Sequence, residues 1–435
     1  MKLCIFTNHF FPEDFKVNDI AFELVNRGID VTVITAIPDY PKGKFFEGYS
    51  LFKRRREEIR GVKVIRLPII PRGGGGAFRL ILNYLSYFIC ASIFTFFHSF
   101  RNKYDAAFVH LTSPFFIGLP AVHLKKRQKI PLYFWTLDLW PESLISAGGI
   151  SHPVIIKPQD KMVSYVYKNC DKILIGSKGF AKSICKKGDF ESKLAYFPNW
   201  AESVATSQSE DISNSIPPFN SMSQDDLIFL FAGNLGEAQN LDTILFAANQ
   251  LKKKKNIKFV FIGDGRRREN LLALVEELSL QETVFFPGRF PLETMPFFMR
   301  KSSVLMVSLK DEPCFNLTVP AKVQFYMSQG KPVLAMLNGD GQDLIREAQC
   351  GLAVNADDVD GFVQAIEKIA NSSKDNLSTW GENGKKFYDN NFTKEQRINQ
   401  LMELMMRSLP TPKASSSSHS YQLPAEQHKP LQAKN

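Results

Sequence analysis

Cysteine spacings typical of metal sites and disulfide frameworks are absent from this chain of 435 residues. Its six cysteines include no C-x-x-C pair, and we expect them to be buried thiols in a reducing compartment. The opening residues, MKLCIFTNHFFPED, contain too short an apolar run for a signal peptide. The sequence therefore predicts a protein that is made and kept in the cytoplasm.

Nucleic-acid-binding motifs are also absent, although the formal net charge is +10. There is no zinc finger, RNP motif or compact basic helix. Residues 1–200 carry 29 Lys+Arg against 16 Asp+Glu, whereas the remainder carries 25 against 28. A basic first half favours an anionic partner, and without those motifs a membrane surface or a phosphorylated lipid fits better than nucleic acid.

Short apolar runs alternate with helix-like segments, and no internal repeat is present beyond this rhythm. Runs such as KLCIFTN, PLYFWTL, LIFLFAGN and KPVLAM predict parallel strands joined by helices. The length suits two domains, which we place at 1–201 and 227–392. A linker rich in Ser, Asn, Asp and Pro joins them at 202–226, and the polar tail at 410–435 is expected to be disordered. The predicted fold class is α/β with two Rossmann-like domains.

Residues 80–100 contain no formal charge and are bounded by Arg79 and Arg101. The segment is long enough for a transmembrane helix, but it contains six polar side chains and lies between two predicted strands. A buried core helix and a helix in the membrane interface are the other two interpretations. The RGGGG at 72–76 could act as a hinge, and the basic run at 53–60 is either a headgroup-binding segment or a solvated loop.

Two glycine-containing loops follow predicted strands of the second domain. Gly263, Asp264 and Gly265 lead into a helix that opens with arginines, and a helix start of this kind favours anions. The third glycine of a dinucleotide fingerprint is replaced by Arg268, so a plain tight turn is the alternative. Residues 233–236 repeat the pattern, and two such loops at strand ends of one sheet suggest a shared ligand crevice.

Two further stretches carry candidate functional groups. In TVPAKVQFYMSQGKP, Lys322 lies in the first turn of a predicted helix and could hold phosphate charge, although a surface lysine is the simpler interpretation. In WTLDLWPESL, Asp138 follows a predicted strand and could also be a helix cap. Glu142 suits a helix start, and His110 at another strand end is more often a core residue.

The chain resembles the GT4 family of retaining glycosyltransferases with the GT-B fold, and most closely its bacterial surface-polysaccharide branch of WbuB- and WcaI-like enzymes. The motifs that carry this resemblance occur in the family's order over about residues 1–400 and read FFPED, PDYPKG, DLWPES, FPNW, AGNLG, IGDG, FPGRF and VPAKVQFYMSQGKP. The resemblance implies two Rossmann-like domains that face each other across a cleft. It also implies that a last helix, at 393–409, returns to the first domain.

The resemblance assigns roles to individual residues. It implies that the second domain binds a nucleotide sugar and the first domain binds the acceptor, with Asp138 and Lys322 as the catalytic candidates. The donor-binding candidates are Gly233, Asn234, Gly236, Gly263, Asp264, Gly265, Arg266, Arg289, Thr318 and Pro320. The acceptor or cleft candidates are Asn8, Glu13, Lys16, His110, Trp140 and Glu142. Family members need no metal, and no cofactor is expected.

The sequence departs from the family at three places. One is near the loop after the first strand, where the usual glycine pair is missing and Lys16, Val17 and Asn18 are found. Many relatives carry an E-x7-E pair, but alignment on Gly330 puts Leu317 and Phe325 there. Many also carry an Arg and a Lys where this chain has Asn234 and Gln239. The positive charge that opposes a diphosphate is therefore expected from Lys322, with Arg266 as the next candidate.

The resemblance implies transfer of a sugar, with an N-acetylated hexose or deoxyhexose expected, from a UDP-sugar to a polyprenyl-diphosphate-linked saccharide. The enzyme would lie on the cytoplasmic face of the inner membrane, in peripheral contact with its anionic surface, and serve O-antigen, capsule or exopolysaccharide synthesis. The sequence also allows two alternatives. One is a non-catalytic scaffold of the same fold, which the missing E-x7-E pair supports, and the other is a nucleotide-sugar epimerase.

Overall fold

A computed structural model of the chain describes residues 1–74, 76–148, 152–201, 218–220, 222–223 and 225–408. The predicted tail at 410–435 lies outside the described residues, as does most of the predicted linker at 202–226. Each of the two parts of the chain contains its own sheet, which confirms the prediction of two α/β domains.

The first domain is built on an eight-stranded sheet of order β3-β4-β2-β1-β5-β6-β7-β8. All neighbouring strands are parallel except β3 and β4. Its strands are β1 (Lys2–Phe6), β2 (Asp30–Ala36), β3 (Arg56–Ile59), β4 (Val62–Leu67), β5 (Ala106–Leu111), β6 (Leu132–Thr136), β7 (Lys172–Ile175) and β8 (Leu194–Tyr196). Every residue of β5 and β6 is buried, as expected for parallel strands covered on both faces.

Helices cover both faces of this sheet. They are α1 (Lys16–Asn26), α2 (Ala77–Arg101), α3 (Gly118–Gln128), α4 (Glu142–Gly148), α5 (Pro153–Asn169) and α6 (Phe180–Cys185), with 3-10 turns at Phe115–Ile117 and Glu191–Lys193. Alternate residues of the strands belong to two separate apolar cores: Cys4 and Phe6 to one, Leu3 and Ile5 to the other.

The second domain has a six-stranded sheet of order β11-β10-β9-β12-β13-β14 in which all neighbours are parallel. Its strands are β9 (Leu227–Ala232), β10 (Ile257–Ile262), β11 (Val284–Gly288), β12 (Val304–Ser308), β13 (Val333–Met336) and β14 (Gly351–Val354). Its helices are α7 (Leu241–Gln250), α8 (Arg268–Glu277), α9 (Met295–Lys301), α10 (Pro313–Asn316), α11 (Ala321–Ser328), α12 (Asp340–Glu347), α13 (Val359–Ala370) and α14 (Lys374–Asn391), with 3-10 turns at Glu237–Gln239 and Leu292–Thr294.

Strand order reverses direction once in each sheet. The reversal lies between β1 and β5 in the first domain and between β9 and β12 in the second. Ligands of open parallel sheets bind outside the carboxyl ends of the strands at such reversals, because the two flanking loops diverge there and leave a crevice. The loops after β1 and β9 are therefore the places at which the fold provides a site.

The last helix, α15 (Lys394–Ser408), packs against the first domain. Ile398, Leu401 and Met405 are buried in the same core as β1, and the Tyr133 hydroxyl donates a hydrogen bond to the Leu404 carbonyl oxygen at 3.1 Å. The chain thus crosses back after the second domain, and its end ties the two domains together.

Three expectations from the sequence need correction. Helix α2 is not a buried core helix, because its outer side is exposed along its whole length. Part of the basic run at 53–60 is not a loop: β3 pairs antiparallel with β4 at the sheet edge. Cys185, at the end of α6, is exposed rather than buried, since its short helix presents that position to the surface.

Candidate active site

A cleft between the domains brings the loops after β1 and β9 together. Its larger cavity, about 790 Å³, is lined on the first-domain side by Glu13, Asp14, Tyr40 and Pro41. On the second-domain side, the lining residues include Gly233, Asn234, Gly263, Asp264, Arg289 and Phe290. A smaller cavity of about 260 Å³ shares Gly233 and adds Lys16, Trp200, Lys322 and Phe325. Both cavities contact Gly233 in the loop after β9, which flanks the reversal of strand order in the second sheet.

The glycine loops of the second domain are packed directly on each other. The Gly233 amide donates to the Ile262 carbonyl oxygen at 2.8 Å, and the Leu235 amide donates to that of Asp264 at 2.9 Å. A Cβ atom on Gly263 would clash with the Gly233 carbonyl oxygen, and one on Gly265 would clash with Leu235. Gly263 and Gly265 are therefore required by backbone packing. Gly233, which begins the loop after β9 and lines both cavities, also lacks a side chain, and we call this segment the bare loop.

Lys322, in the first turn of α11, reaches this bare loop. Its Nζ donates to Gln239 Oε1 at 2.6 Å and lies 3.9 Å from the centroid of the Phe231 ring. A Cβ atom on Gly233 would lie 2.5 Å from Lys322 Cε, so the glycine makes room for the lysine. Burial lowers the pKa of Lys322 to about 7, and no carboxylate among the described residues offsets it. Lys322 is thus a cleft residue rather than an ordinary surface lysine.

The first-domain wall contains a group of buried ionisable side chains that we call the first-domain network: His9, Glu13, Asp39 and Arg72. Glu13 Oε1 accepts hydrogen bonds from the amides of Asp39 at 3.0 Å and Tyr40 at 2.7 Å, and its Oε2 lies 3.0 Å from His9 Nδ1. Arg72 Nη2 lies 2.8 Å from His9 Nε2. Because a guanidinium can only donate, Nε2 must accept and the ring proton lies on Nδ1, facing Glu13.

Asp39 completes the first-domain network. Its Oδ2 accepts from the Arg72 amide at 2.8 Å and from Asn83 Nδ2 at 3.1 Å, while burial raises the pKa of this carboxyl group. The Arg72 guanidinium lies over the rings of Tyr40 and Tyr84, 5.3 Å from each centroid. The network therefore fixes the loop whose Tyr40 and Pro41 line the larger cavity.

Sequence reasoning missed three members of this network, His9, Asp39 and Arg72. The signal available for two of them was their place in or beside the motifs FFPED and PDYPKG. Arg72 had no such signal, because it lies 33 residues from Asp39 and only the fold brings them together.

Asp138 lies at the junction of the domains but does not line either cavity. Burial raises its pKa to about 6, partly offset by a hydrogen bond from Ser113. Ser113 also accepts from Trp140 Nε1 at 3.1 Å through its Oγ, and from Asn8 Nδ2 at 2.9 Å through its carbonyl oxygen. Asn8, Asp138 and Trp140 thus form one group around Ser113. The charge of Asp138 also acts on the pKa of Cys314 in the second domain.

Glu142 and His110 have structural partners. Glu142 begins α4, as expected, and its Oε1 accepts from Ser183 Oγ at 2.6 Å and pairs with Lys187 Nζ at 2.9 Å. His110 is buried with its Nδ1 3.2 Å from Thr7 Oγ1, and burial lowers its pKa to about 3. It is therefore a neutral core residue at neutral pH.

The remaining donor candidates differ in how accessible they are to a ligand. Arg266 and Arg289 are exposed, and Arg289 lines the larger cavity. The Thr318 amide donates to the Phe315 carbonyl oxygen at 3.0 Å, and the next amide, Val319, donates to Ser177 Oγ at 2.6 Å. These two amides are therefore already bonded within the protein and are not available to a diphosphate. Gly236 follows the bare loop, and Pro320 caps α11.

Apolar side chains occupy the two positions where many relatives of the predicted family carry glutamate. Leu317 packs against the core of the first domain, across the domain junction. Phe325 lines the smaller cavity beside Lys322. Neither can bind a hydroxyl group, and Leu317 contributes instead to holding the domains together.

Two family models match the chain. The model for glycosyl transferases group 1 matches residues 214–387, and the model for a glycosyl transferase 4-like domain matches residues 16–200. Together they cover both domains, and their boundary falls in the connection between the two sheets.

Curated relatives carry glycosyltransferase names. The chain is 28% identical over 244 residues to WbjE of Pseudomonas aeruginosa, covering 54% of this chain and 59% of that protein. It is 24% identical to WcaI of Escherichia coli, named for colanic acid biosynthesis, covering 76% and 82%. It is 22% identical to a Campylobacter jejuni protein named as an N-acetylgalactosaminyltransferase acting on a diphospho-undecaprenol-linked sugar, covering 62% and 68%.

Solved structures share the fold. Sucrose-phosphate synthase from Thermosynechococcus elongatus superposes with a TM-score of 0.72 at 16% identity, covering 93% of this chain and 98% of that one. HepE from Anabaena, solved with UDP and glucose, superposes with a TM-score of 0.65 at 14% identity, covering 94% and 100%. These matches confirm the predicted GT-B architecture. With both domains matched by glycosyltransferase models, the chain belongs to the GT4 family of glycosyltransferases.

Proposed function

We propose that this glycosyltransferase moves a sugar from a UDP-sugar to a lipid-diphosphate-linked saccharide during synthesis of a bacterial surface polysaccharide. The observation that carries the donor part is Lys322. A half-buried lysine that has no carboxylate partner among the described residues, and that lies against the backbone of Gly233, is the arrangement that an anionic diphosphate completes. The UDP bound to HepE, and the lipid-diphosphate sugar in the name of the Campylobacter relative, support these substrate classes.

The proposed transfer retains the configuration of the sugar. The bond between the anomeric carbon and the diphosphate oxygen breaks, and the acceptor oxygen forms its bond to that carbon from the same face. The proton of the acceptor hydroxyl passes to the departing diphosphate oxygen, so no strong protein base is required. The Lys322 ammonium stabilises the negative charge that develops on the diphosphate, which is where electrostatic catalysis has its largest effect.

Other residues position the substrates in this proposal. Arg289, exposed at the larger cavity, holds the nucleotide base. Asp138, a partly buried carboxylate at the domain junction, accepts a hydrogen bond from a sugar or acceptor hydroxyl, with Trp140 and Ser113 fixing its backbone. The first-domain network shapes the acceptor side of the cleft through Tyr40 and Pro41.

The acceptor defines where the enzyme acts. A polyprenyl-diphosphate saccharide is anchored in the membrane, so we propose that the protein works on the cytoplasmic face in peripheral contact with the bilayer. The names of the relatives, which refer to colanic acid and to a diphospho-undecaprenol sugar, support this pathway class. We further propose an N-acetylated hexose or deoxyhexose as the transferred sugar, and a reaction that requires no metal.

The direct test combines purified protein, a panel of UDP-sugars and a short-chain polyprenyl-diphosphate sugar. Release of UDP only when both substrates are present, with a saccharide one sugar longer, is the expected result. Interconversion of the UDP-sugar without acceptor would indicate an epimerase instead. A scaffold would show neither turnover nor donor binding by calorimetry across the whole panel.

A further inference from the structure

Helix α2 has its polarity inverted relative to a surface helix of a globular protein. Polar side chains face the sheet: Asn83, Thr95 and Ser99 are buried together with Tyr87 and Ala91. Large apolar side chains face outward at intervals of three and four residues. The exposed residues are Phe78, Ile81, Leu85, Ile89, Ile93, Phe96, Phe97 and Phe100. We call these eight side chains the α2 stripe, and it runs for about 33 Å at 1.5 Å per residue.

The helix is fixed to the domain by its polar side. The Tyr87 hydroxyl donates to the carbonyl oxygens of Thr7 at 3.0 Å and Ile34 at 3.1 Å, and Asn83 Nδ2 donates to that of Ile70 at 2.7 Å. Although α2 is the one helix in the described part of the chain long and apolar enough to cross a membrane, crossing would break these bonds and open the sheet. The α2 stripe is therefore a surface, and it needs an apolar partner.

The positive charge around the α2 stripe indicates that its apolar partner also carries negative charge. Residues 51–129 hold 15 Lys+Arg and three Asp+Glu, so this segment supplies almost the whole positive excess of the first 200 residues. Exposed basic residues lie in the strands and turns beside α2 and at both its ends: Lys53, Arg54, Arg56, Arg79, Arg101 and Arg127. The Arg127 guanidinium lies 3.4 Å from the centroid of Phe100 in the α2 stripe.

A groove at the carboxyl end of α2 combines both features. It has a volume of about 1000 Å³, with Phe94, Phe97 and Phe100 on one wall and Arg56, Lys63 and Arg101 on the rim. Glu57 and Glu58 also line it, and Glu57 is paired with Arg66 at 2.7 Å. An apolar floor with a basic rim fits an amphiphile that has an anionic head.

We propose that the α2 stripe is the surface by which the protein docks into an anionic phospholipid bilayer, lying in the headgroup–acyl boundary with the basic residues on the lipid phosphates. A second copy of the chain fits less well, because pairing two such surfaces would bring their positive charges together. The amino end of α2 adjoins the cleft: Asn83 binds Asp39, and Tyr84 lies under Arg72. Docking would thus bring the cleft to the headgroups, where, if the proposed function holds, the lipid-linked acceptor is presented.

The test is flotation of the full chain with vesicles of phosphatidylcholine and phosphatidylglycerol in equal amounts. The variant Ile89→Ser/Ile93→Ser/Phe97→Ser removes the centre of the α2 stripe and is expected to lower the vesicle-bound fraction about tenfold or more. Phe246→Ser is the matched control, because Phe246 is an exposed apolar residue of α7 in the other domain; its binding should equal that of the wild type. A second variant, Ile81→Ser/Leu85→Ser, with circular dichroism of each protein, guards against misfolding.

Equal flotation of the folded stripe variants and the wild type would overturn the proposal. So would a wild-type dimer in light scattering that the stripe variants dissociate without vesicles, since a second copy would then be the partner. Transfer to a short-chain acceptor in detergent separates this inference from the proposed function. Wild-type transfer without vesicle binding would contradict only the docking surface, whereas vesicle binding without transfer to any acceptor would contradict only the function.

Discussion

The two walls of the cleft differ in whether their ionisable side chains have partners within the protein. On the second-domain wall, the half-buried Lys322 lies against a phenyl ring and a glycine loop, and no carboxylate among the described residues pairs with it. On the first-domain wall, each carboxylate of the first-domain network has partners: Glu13 accepts from the neutral His9 ring and from two backbone amides, and Asp39 lies beside Arg72. An unpaired charge can be completed by a ligand, whereas a fully bonded network mainly holds a shape. The comparison predicts that losing Lys322 affects chemistry and losing a network residue affects positioning.

The largest expected effect comes from Lys322→Met, which removes the unpaired charge. We expect kcat/KM to fall about 100- to 1000-fold, because one preorganised charge on a developing anion contributes about this much. Initial rates of UDP release measure it. Lys301→Met, which removes an exposed lysine at the end of α9, is the control and should retain activity. Near-normal turnover of Lys322→Met would remove Lys322 from the mechanism.

Gly233→Ala tests whether Lys322 occupies its position because Gly233 has no side chain. The added Cβ would lie 2.5 Å from Lys322 Cε, so the lysine must move, and we expect donor affinity to weaken about tenfold by calorimetry. Gly28→Ala is the matched control: Gly28 also has a positive φ, +81°, but open space around its Cβ position. Both variants should lose stability on heating. If Gly28→Ala weakened donor binding as much, backbone strain rather than the Lys322 contact would explain the result.

Glu13→Gln disrupts the first-domain network. The amide oxygen can still accept both backbone hydrogen bonds, but its NH₂ group meets the proton on His9 Nδ1, so we expect a loss of about 1–3 kcal/mol in the free energy of unfolding. Because Tyr40 and Pro41 depend on Glu13, the acceptor KM should rise about three- to tenfold while donor affinity stays constant. Glu23→Gln, which breaks the surface pair with Arg27 on α1, should cost at most about 0.5 kcal/mol. A changed donor affinity in Glu13→Gln would contradict the division between the walls.

The smallest expected effect is that of a chelator. If Lys322 supplies the charge that opposes the diphosphate, addition of EDTA should leave the rate of UDP release unchanged. Loss of activity with EDTA, restored by Mg²⁺ or Mn²⁺, would show that a metal shares this role.

The residues of the second-domain wall were easier to predict from the sequence than those of the first-domain wall. Strand periodicity predicted both α/β domains, and the glycine loops and Lys322 were recognisable because each lies in a short contiguous motif. The first-domain network was not, since Arg72 meets His9 and Asp39 only after β1, β2 and β4 pair. The burial of α2 could not be predicted either. Its composition allowed a transmembrane helix, a buried helix or an interfacial helix, and only its packing on the sheet shows which side is exposed.

The pH dependence of donor binding tests the role of Lys322 most directly. With a pKa of about 7, Lys322 is mostly neutral above that pH and must take up a proton to bind a diphosphate, whose own charge is constant. Calorimetry with UDP-N-acetylglucosamine, or whichever UDP-sugar supports turnover, between about pH 6 and about pH 9 should show the wild-type dissociation constant rising toward about tenfold per pH unit above 7, with a flat profile for Lys322→Met. Parallel profiles for the two proteins would contradict the assignment of the diphosphate charge to Lys322.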